Sequence, residues 1–230
     1  MSPISNVASR TRQPKAVRES AILAAAHQIF SSNGYEKTAM SEIAKEAGIA
    51  EGTIYKHFAN KQELLARVFS DFYTILIKNT KNSLKGITGI ENQLRVLITR
   101  HIQNFFEDMG MCRLLLQEVR PLHNYPHSHM HQLTREYSEI LLEVIVNGMK
   151  KQEIRDDISA KTIRDMIFGS LEHAGWNILT AKKASMDFET LTHEILSITL
   201  NGLVSPKPQK NDFNHQLSRL EKLVTQLESK

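Results

Sequence analysis

Residues 38–65 read Thr-Ala-Met-Ser-Glu-Ile-Ala-Lys-Glu-Ala-Gly-Ile-Ala-Glu-Gly-Thr-Ile-Tyr-Lys-His-Phe-Ala-Asn-Lys-Gln-Glu-Leu-Leu. Over 39–46 the residues Ile43, Ala44 and Ala47 gather on one side of a two-turn helix. Thr38 precedes that helix as an N-cap, a position where a side-chain oxygen accepts a free backbone N–H. Gly48 ends it, and glycine accepts the sharp turn that must follow. Over 51–58, Ile54 and Phe58 share a face at i and i+4. Two helices of this length around a tight connection make a helix-turn-helix plan. The outer face of the second carries Glu51, Gly52, Thr53, Tyr55, Lys56 and His57, polar or small residues that fit a major groove about 12 Å wide. A helical hairpin whose polar face is only solvated fits the same pattern.

The same punctuation extends outward. An amphipathic helix over 15–33 places Ile22, Ala25, Ala26, Ile29 and Phe30 on one side and stops at Asn33-Gly34. After Ala59-Asn60 a long helix begins near Lys61, with Leu64, Leu65, Val68, Phe69, Phe72, Ile75 and Leu76 as its apolar stripe. Further helices are predicted over 90–106, 112–120 (after Gly110), 128–150, 160–181 and 187–203, with Ser159 as a cap. Residues 205–211 carry two prolines and read as a linker, and 212–230 as a final amphipathic helix. Phe213, Leu217, Leu220, Val224 and Leu227 give that helix a short a/d stripe. Only 10 Gly and 6 Pro occur in 230 residues, and period-two apolar runs are missing. The fold class is therefore all-α: a flexible basic arm over 1–14, a three-helix helix-turn-helix domain over 15–60 and a larger helical domain over 61–204.

Composition narrows the function classes. There are 29 Lys+Arg against 25 Asp+Glu, a net charge of +4. Residues 1–62 hold 8 basic and 5 acidic side chains, 203–230 hold 5 and 3, and the 140 residues between hold 16 and 17. The excess positive charge thus sits at the two ends, a distribution suited to meeting a polyanion. Cys112 is the sole cysteine, which excludes an intrachain disulfide and a cysteine zinc cluster and points to a reducing, cytoplasmic setting. No apolar stretch approaches the roughly 18 residues of a membrane span. No clustered carboxylate pair, nucleophile-base motif or phosphate-cradling glycine loop is present, so an enzyme is not expected.

The 38–65 stretch, with Phe30 before Gly34, the Ile-Ala-x-x-Ala-Gly core, Gly-Thr-Ile-Tyr and Phe-x-Asn-Lys-x-x-Leu, resembles the signature of the TetR/AcrR family of transcriptional regulators. The resemblance implies that Thr38 caps the first short helix and reaches a phosphate, and that Gly52 and Thr53 lie at the groove edge. It further implies that Tyr55 and His57 contact phosphate or base edges, that Lys61 donates to a phosphate, and that Lys56 is available to set operator choice. Ala50 departs from the serine frequent at that position and removes a cap hydroxyl. In the arm, Arg10, Arg12, Lys15 and Arg18 can follow the DNA backbone or remain solvated.

The family's larger domain holds a ligand pocket, and two C-terminal helices of each subunit form a four-helix dimer bundle. By position these are 160–181 and 187–203. In the first, Ile163, Ile167, Leu171, Ala174 and Ile178 form the stripe expected at the dimer face, with Gly169 and Gly175 as points of close approach. Candidate effector contacts are Asn104, Phe105, Arg113, Gln117, Arg120, Tyr137, His173 and Trp176. The run Arg113-Leu-Leu-Leu-Gln-Glu-Val-Arg120 resembles the matching helix of regulators of fatty-acid degradation, whose effectors are acyl-CoA thioesters. His127 and His131 stand at i and i+4 within the His123–His131 cluster, a spacing that suits a metal, but no carboxylate or cysteine lies in that run and solvated histidines are expected. Cys112 is expected as a small core residue rather than a redox switch. No cofactor or metal is expected.

The function these features imply is a DNA-binding transcriptional repressor, a homodimer on a palindromic double-stranded operator, released by a small hydrophobic effector. An architectural protein binding DNA without sequence preference, and a multidrug-responsive regulator, are the alternatives.

Overall fold

The computed structural model describes residues 14–180 and 187–203 of the 230. The expected linker over 205–211 and final helix over 212–230, and all of the expected arm but Pro14, lie outside the described residues. Every regular element among the described residues is helical: α1 Lys15–Asn33, α2 Met40–Glu46, α3 Glu51–Ile54, α4 Lys61–Ser83, α5 Ile90–Glu107, α6 Met109–Leu114, α7 His129–Lys150, α8 Ala160–Thr180 and α9 Phe188–Leu203. Helix α6 runs directly into a π-helical turn, Leu115–Val119. None of the described helices is long and apolar enough to cross a membrane.

The three-helix unit closes as its sequence dictates. Ile22, Ala26, Phe30, Ile43 and Ile54 are fully buried and meet Leu64 and Phe69 of α4, so α4 completes the core of the unit while carrying on into the larger domain. The start of α4 is fixed locally. Asn60 accepts from Glu63 N at 2.8 Å, and Glu63 Oε2 accepts in turn from Ala59 N at 2.6 Å, a reciprocal cap. In the larger domain α4 packs along α7, and α5 lies between α7 and α9. Ser128 caps α7 through His131 N at 3.1 Å, and Ser159, the expected cap of α8, accepts from Thr162 N.

Four local expectations are corrected. Ala39, not Thr38, occupies the cap position of α2 and offers no acceptor; the Thr38 hydroxyl instead donates back to Gly34 O at 2.6 Å. Helix α3 covers only four residues, and Tyr55–His57 form a tight turn closed by Phe58 N to Ile54 O at 2.9 Å. Gly110 does not precede α6 but lies inside it, where its missing side chain lets α6 rest on Ser31 of α1. The α8 stripe expected at a dimer face is core: Ile163, Ile167 and Leu171 are buried in their own protomer, and Gly175 lies against the Phe105 ring.

Candidate DNA-contact surface and interior cavity

The outer surface of the three-helix unit presents fewer of the expected side chains than the residue types suggested. Tyr55 is 49% exposed, Gly52 and Lys56 are exposed, and Thr53 is half-buried. Nothing lies within 4 Å of a Cβ built on Gly52, so the fold itself does not require glycine there. The other three face inward. Thr38 is 3% exposed. The His57 ring is 5% exposed, with Nδ1 3.9 Å from Glu19 Oε2. Lys61 Nζ donates to Tyr35 O at 2.8 Å and Thr38 O at 3.0 Å and lies 4.3 Å from the centre of the Tyr35 ring. Thr38 and Lys61 thereby hold the turn between α1 and α2 against the start of α4.

The larger domain contains a cavity of about 230 Å³ among α4, α5, α7, α8 and the α6 segment. Its apolar wall includes Phe72, Tyr73, Phe105, Leu116 and Phe168, and its polar lining includes His101, Asn104, Arg120, Thr134, Tyr137 and Glu172. Arg120 donates from Nη1 and Nη2 to the two carboxylate oxygens of Glu172, both at 2.8 Å. Burial opposes the charge on Arg120, but the hydrogen bonds and charge of Glu172 outweigh it and hold the guanidinium protonated more firmly than usual. Burial pushes the His101 imidazole down to about 4, so it is neutral near pH 7, and its Nδ1 lies 3.0 Å from the Tyr137 hydroxyl. Burial likewise raises Tyr137 to about 12 and Cys112 to about 12, which keeps both protonated. A thiol held in that form is a poor redox switch.

Four of the eight expected effector contacts, Asn104, Phe105, Arg120 and Tyr137, therefore meet at one cavity. The other four do not. Gln117 and His173 are exposed, and Trp176 is 41% exposed. Arg113 turns away and donates to Ser31 O at 3.2 Å and Ser32 O at 3.3 Å at the end of α1. Sequence reading missed His101, Thr134 and Phe168. For His101 and Thr134 the available signal was polar residues set at i and i+3 within apolar stripes, His101 with Asn104 and Thr134 with Tyr137, whereas Phe168 is one apolar residue on an apolar helix and carried none.

The α6 segment has two working sides. Cys112, Leu115, Leu116 and Arg120 line the cavity. From the same stretch, Arg113 holds the end of α1, and Glu118 Oε2 accepts from Tyr35 N at 2.7 Å and Glu36 N at 3.3 Å in the turn before α2. A second junction lies nearby, where His27 Nε2 of α1 is 2.7 Å from Asp108 Oδ2 ahead of α6. That hydrogen bond raises the His27 pKa against the opposing effect of burial. In the histidine cluster, His123, His127 and His129 are exposed while His131 packs edge-on against Tyr125. Among the described residues no three His, Cys, Asp or Glu side chains gather as a metal site.

Comparison with known proteins places these features in context. Residues 22–68 match the tetR family of bacterial regulatory proteins, and residues 69–202 match the C-terminal region of YsiA-like proteins. The fatty acid metabolism regulator protein of Bacillus subtilis (strain 168) is 25% identical over 196 residues, covering 84% of this chain and 98% of that protein. The HTH-type transcriptional repressor KstR2 of Rhodococcus jostii (strain RHA1) is 25% identical over 195 residues, 84% of this chain and 94% of that protein. The crystal structure of the transcriptional regulator FadR from Bacillus subtilis in complex with stearoyl-CoA aligns with a TM-score of 0.72 and 24% identity, covering 80% of this chain and 98% of that one.

Proposed function

The chain belongs to the tetR family of bacterial regulatory proteins and is a transcriptional regulator, and from that premise we propose a homodimeric repressor that an elongated, largely apolar effector releases from a palindromic operator. Gly52, Thr53, Tyr55 and Lys56 enter the major groove. Gly52 supports this assignment because its lack of a side chain answers no packing need within the protein, leaving a close approach to DNA as its use. Thr38 and Lys61 act through position, by fixing the α1–α2 turn against the start of α4, and His57 by setting the recognition turn beside Glu19 of α1. Dimerisation is supported by the outward faces of α8 and α9, where Met166, Trp176 and Ile198 leave apolar surface in water beside the open Gly169.

The observation that carries the reading is the two-sided α6 segment. A ligand that enlarges the cavity pushes on Leu115, Leu116 and Arg120, and the same rigid segment grips α1 and the α1–α2 turn through Arg113 and Glu118. Its π-helical turn, a feature frequent at functional sites, sets the facing by which Arg120 meets the cavity while Arg113 meets α1. Two recognition elements must sit about one duplex turn, roughly 34 Å, apart to read both half-sites. A shift of α1 in each subunit breaks that spacing and DNA is released.

The effector class is proposed to be a long-chain acyl-CoA thioester. The cavity's apolar wall accepts the chain, and a regulator of similar fold binds stearoyl-CoA. The test starts from an operator selected by the protein from a random-sequence DNA pool. Fluorescence anisotropy then follows affinity during titration with acyl-CoAs of increasing chain length and with CoA alone. Long-chain thioesters are expected to weaken operator binding by about tenfold or more, within the usual range of allosteric coupling, with CoA alone inert. Sequence-specific binding that no acyl-CoA alters would overturn the effector assignment.

A further inference from the structure

Phe72, Leu76 and Asn104 border the inner cavity and also, on their other side, an outer cleft of about 450 Å³ where α1, α4 and α5 converge. The cleft takes Leu23, Ala24 and His27 from α1, Ile75 from α4 and Arg100 from α5. Ile75 is largely exposed there although it lies on a helix whose neighbouring apolar residues are covered. An apolar chain passing between Phe72 and Leu76 would thus run from the surface beside the DNA-binding unit into the interior of the larger domain.

The α5 side of these two spaces carries donors without acceptors. Asn104 is 9% exposed, and its Nδ2 has no hydrogen-bond partner. The nearby Tyr137 hydroxyl, paired with His101 Nδ1 at 3.0 Å, keeps acceptor lone pairs on the side of Asn104, but the two do not reach hydrogen-bonding geometry. One turn earlier on the same face of α5, Arg100 has its Nε buried and unpartnered, and its guanidinium reaches Glu107 only at 3.7 Å through Nη1. Folded proteins leave few buried N–H groups unmatched, and those that remain point to a bound molecule or to water. Two such groups stand one turn apart on α5, Asn104 bordering both cavities and Arg100 the outer cleft, and one oxygen acceptor lying between them would match both.

We infer that Asn104 Nδ2 and Arg100 Nε form a carbonyl-binding point for a threaded ligand. The acyl chain lies in the inner cavity among Tyr73, Leu116 and Phe168, and the carbonyl oxygen of a thioester or a carboxylate accepts from Asn104 and Arg100. The head group leaves through the outer cleft past Ala24 and His27 of α1, so the ligand touches the DNA-binding unit directly as well as through α6. This inference rests on the acyl reading above and adds the residues that recognise the acyl group.

Palmitoyl-CoA and its thioether analogue S-hexadecyl-CoA share chain and head group and differ at the carbonyl. Calorimetric titration of the full chain should show the thioester binding about tenfold more tightly, the effect of one or two matched donors in a desolvated site. Asn104→Leu should bring that ratio to about one, and Arg100→Met should reduce it, with thermal melting used to confirm that each variant is folded. Palmitate in the same titration tells the two sources of the oxygen apart, because a free acid that binds as tightly as palmitoyl-CoA names the carboxylate as the natural group. Equal affinity of wild type for thioester and thioether, or an undiminished ratio in both folded variants, would overturn the inference and leave ordered water as the partner of these donors. Failure of all three compounds to bind would instead overturn the acyl reading on which it rests.

Discussion

Gly110→Ala tests the seam between α6 and α1 without touching the cavity or the DNA-contact surface. A Cβ at position 110 would lie 2.6 Å from Ser31 O, 2.7 Å from Ser31 Cβ and 3.0 Å from Ser31 C. Two effects oppose each other. Gly110 is helical, and alanine is favoured over glycine in a helix by about 1 kcal/mol. Overpacking a tight contact costs about 1–3 kcal/mol. Because two of the three clashing atoms belong to the Ser31 backbone, no rotamer change relieves them, and the clash should win. A net loss of up to about 2 kcal/mol lowers Tm by up to roughly 8 °C for a chain of this size. The more telling effect is directional. Relief requires α6 to withdraw from α1, which stretches Arg113 bonds that already measure 3.2 and 3.3 Å. Operator affinity should therefore fall in a variant that alters nothing near the DNA. Differential scanning calorimetry and operator anisotropy measure the two quantities. A raised Tm with unchanged operator affinity would show that helix propensity dominates and that the seam carries no coupling.

Glu118→Ala leaves Tyr35 N and Glu36 N without their acceptor and should cost about 1–3 kcal/mol in urea denaturation, with Glu118→Gln between it and wild type; a fully stable alanine variant would remove Glu118 from the account. Two histidines give opposite pH signatures. His101, with its folded pKa near 4 against an ordinary 6.5, opposes folding as pH falls from about 6.5 toward 4, by up to about 3 kcal/mol. His101→Gln should flatten that acid limb in Tm measured against pH, and a variant that keeps the limb contradicts the assignment. His27 has a raised folded pKa, so its stabilisation is complete below 6.5 and fades as pH rises through the folded value. The Tm deficit of His27→Gln should accordingly shrink with rising pH, and a deficit that grows would reverse the sign. On the DNA side, Tyr55→Ala and Lys56→Ala should each weaken operator binding by about tenfold without lowering Tm, whereas Lys61→Ala should lower Tm because its amine closes the α1–α2 turn; melting curves that rank them the other way would refute the division.

How much of this was legible in the sequence depended on the range of the contacts involved. The buried faces of α1 to α4 follow from spacing within one helix: Ile22 with Ala26, Ile54 with Phe58, Leu64 with Val68. Asn60 and Glu63 mark the start of α4 for an equally local reason. Long-range pairings were opaque. Gly110 reads as a helix stop until Ser31, 79 residues earlier, is seen to occupy the space its side chain would fill. Arg113 and Arg120 look alike on one apolar helix, yet the π-helical turn between them changes the facing, so one grips α1 and the other pairs with Glu172 in the cavity. A helix over 51–58 puts His57 on its outer face and the family resemblance puts Lys61 on a phosphate, whereas the short α3 and its tight turn carry the His57 ring inward and the Lys61 amine closes on Tyr35 O and Thr38 O. Burial of Ile163, Ile167 and Leu171 could not be told from a dimer stripe by periodicity, since both need the same spacing.

The central claim is that occupancy of the larger domain and occupancy of the operator are coupled, and thermodynamic linkage makes that coupling measurable from either side. Calorimetric titration of palmitoyl-CoA into the free protein and into its saturated operator complex should give affinities that differ by the same factor, about tenfold or more, by which the thioester weakens operator binding. Equal affinity of the two forms for palmitoyl-CoA would contradict the account, because a ligand that does not distinguish them cannot release DNA.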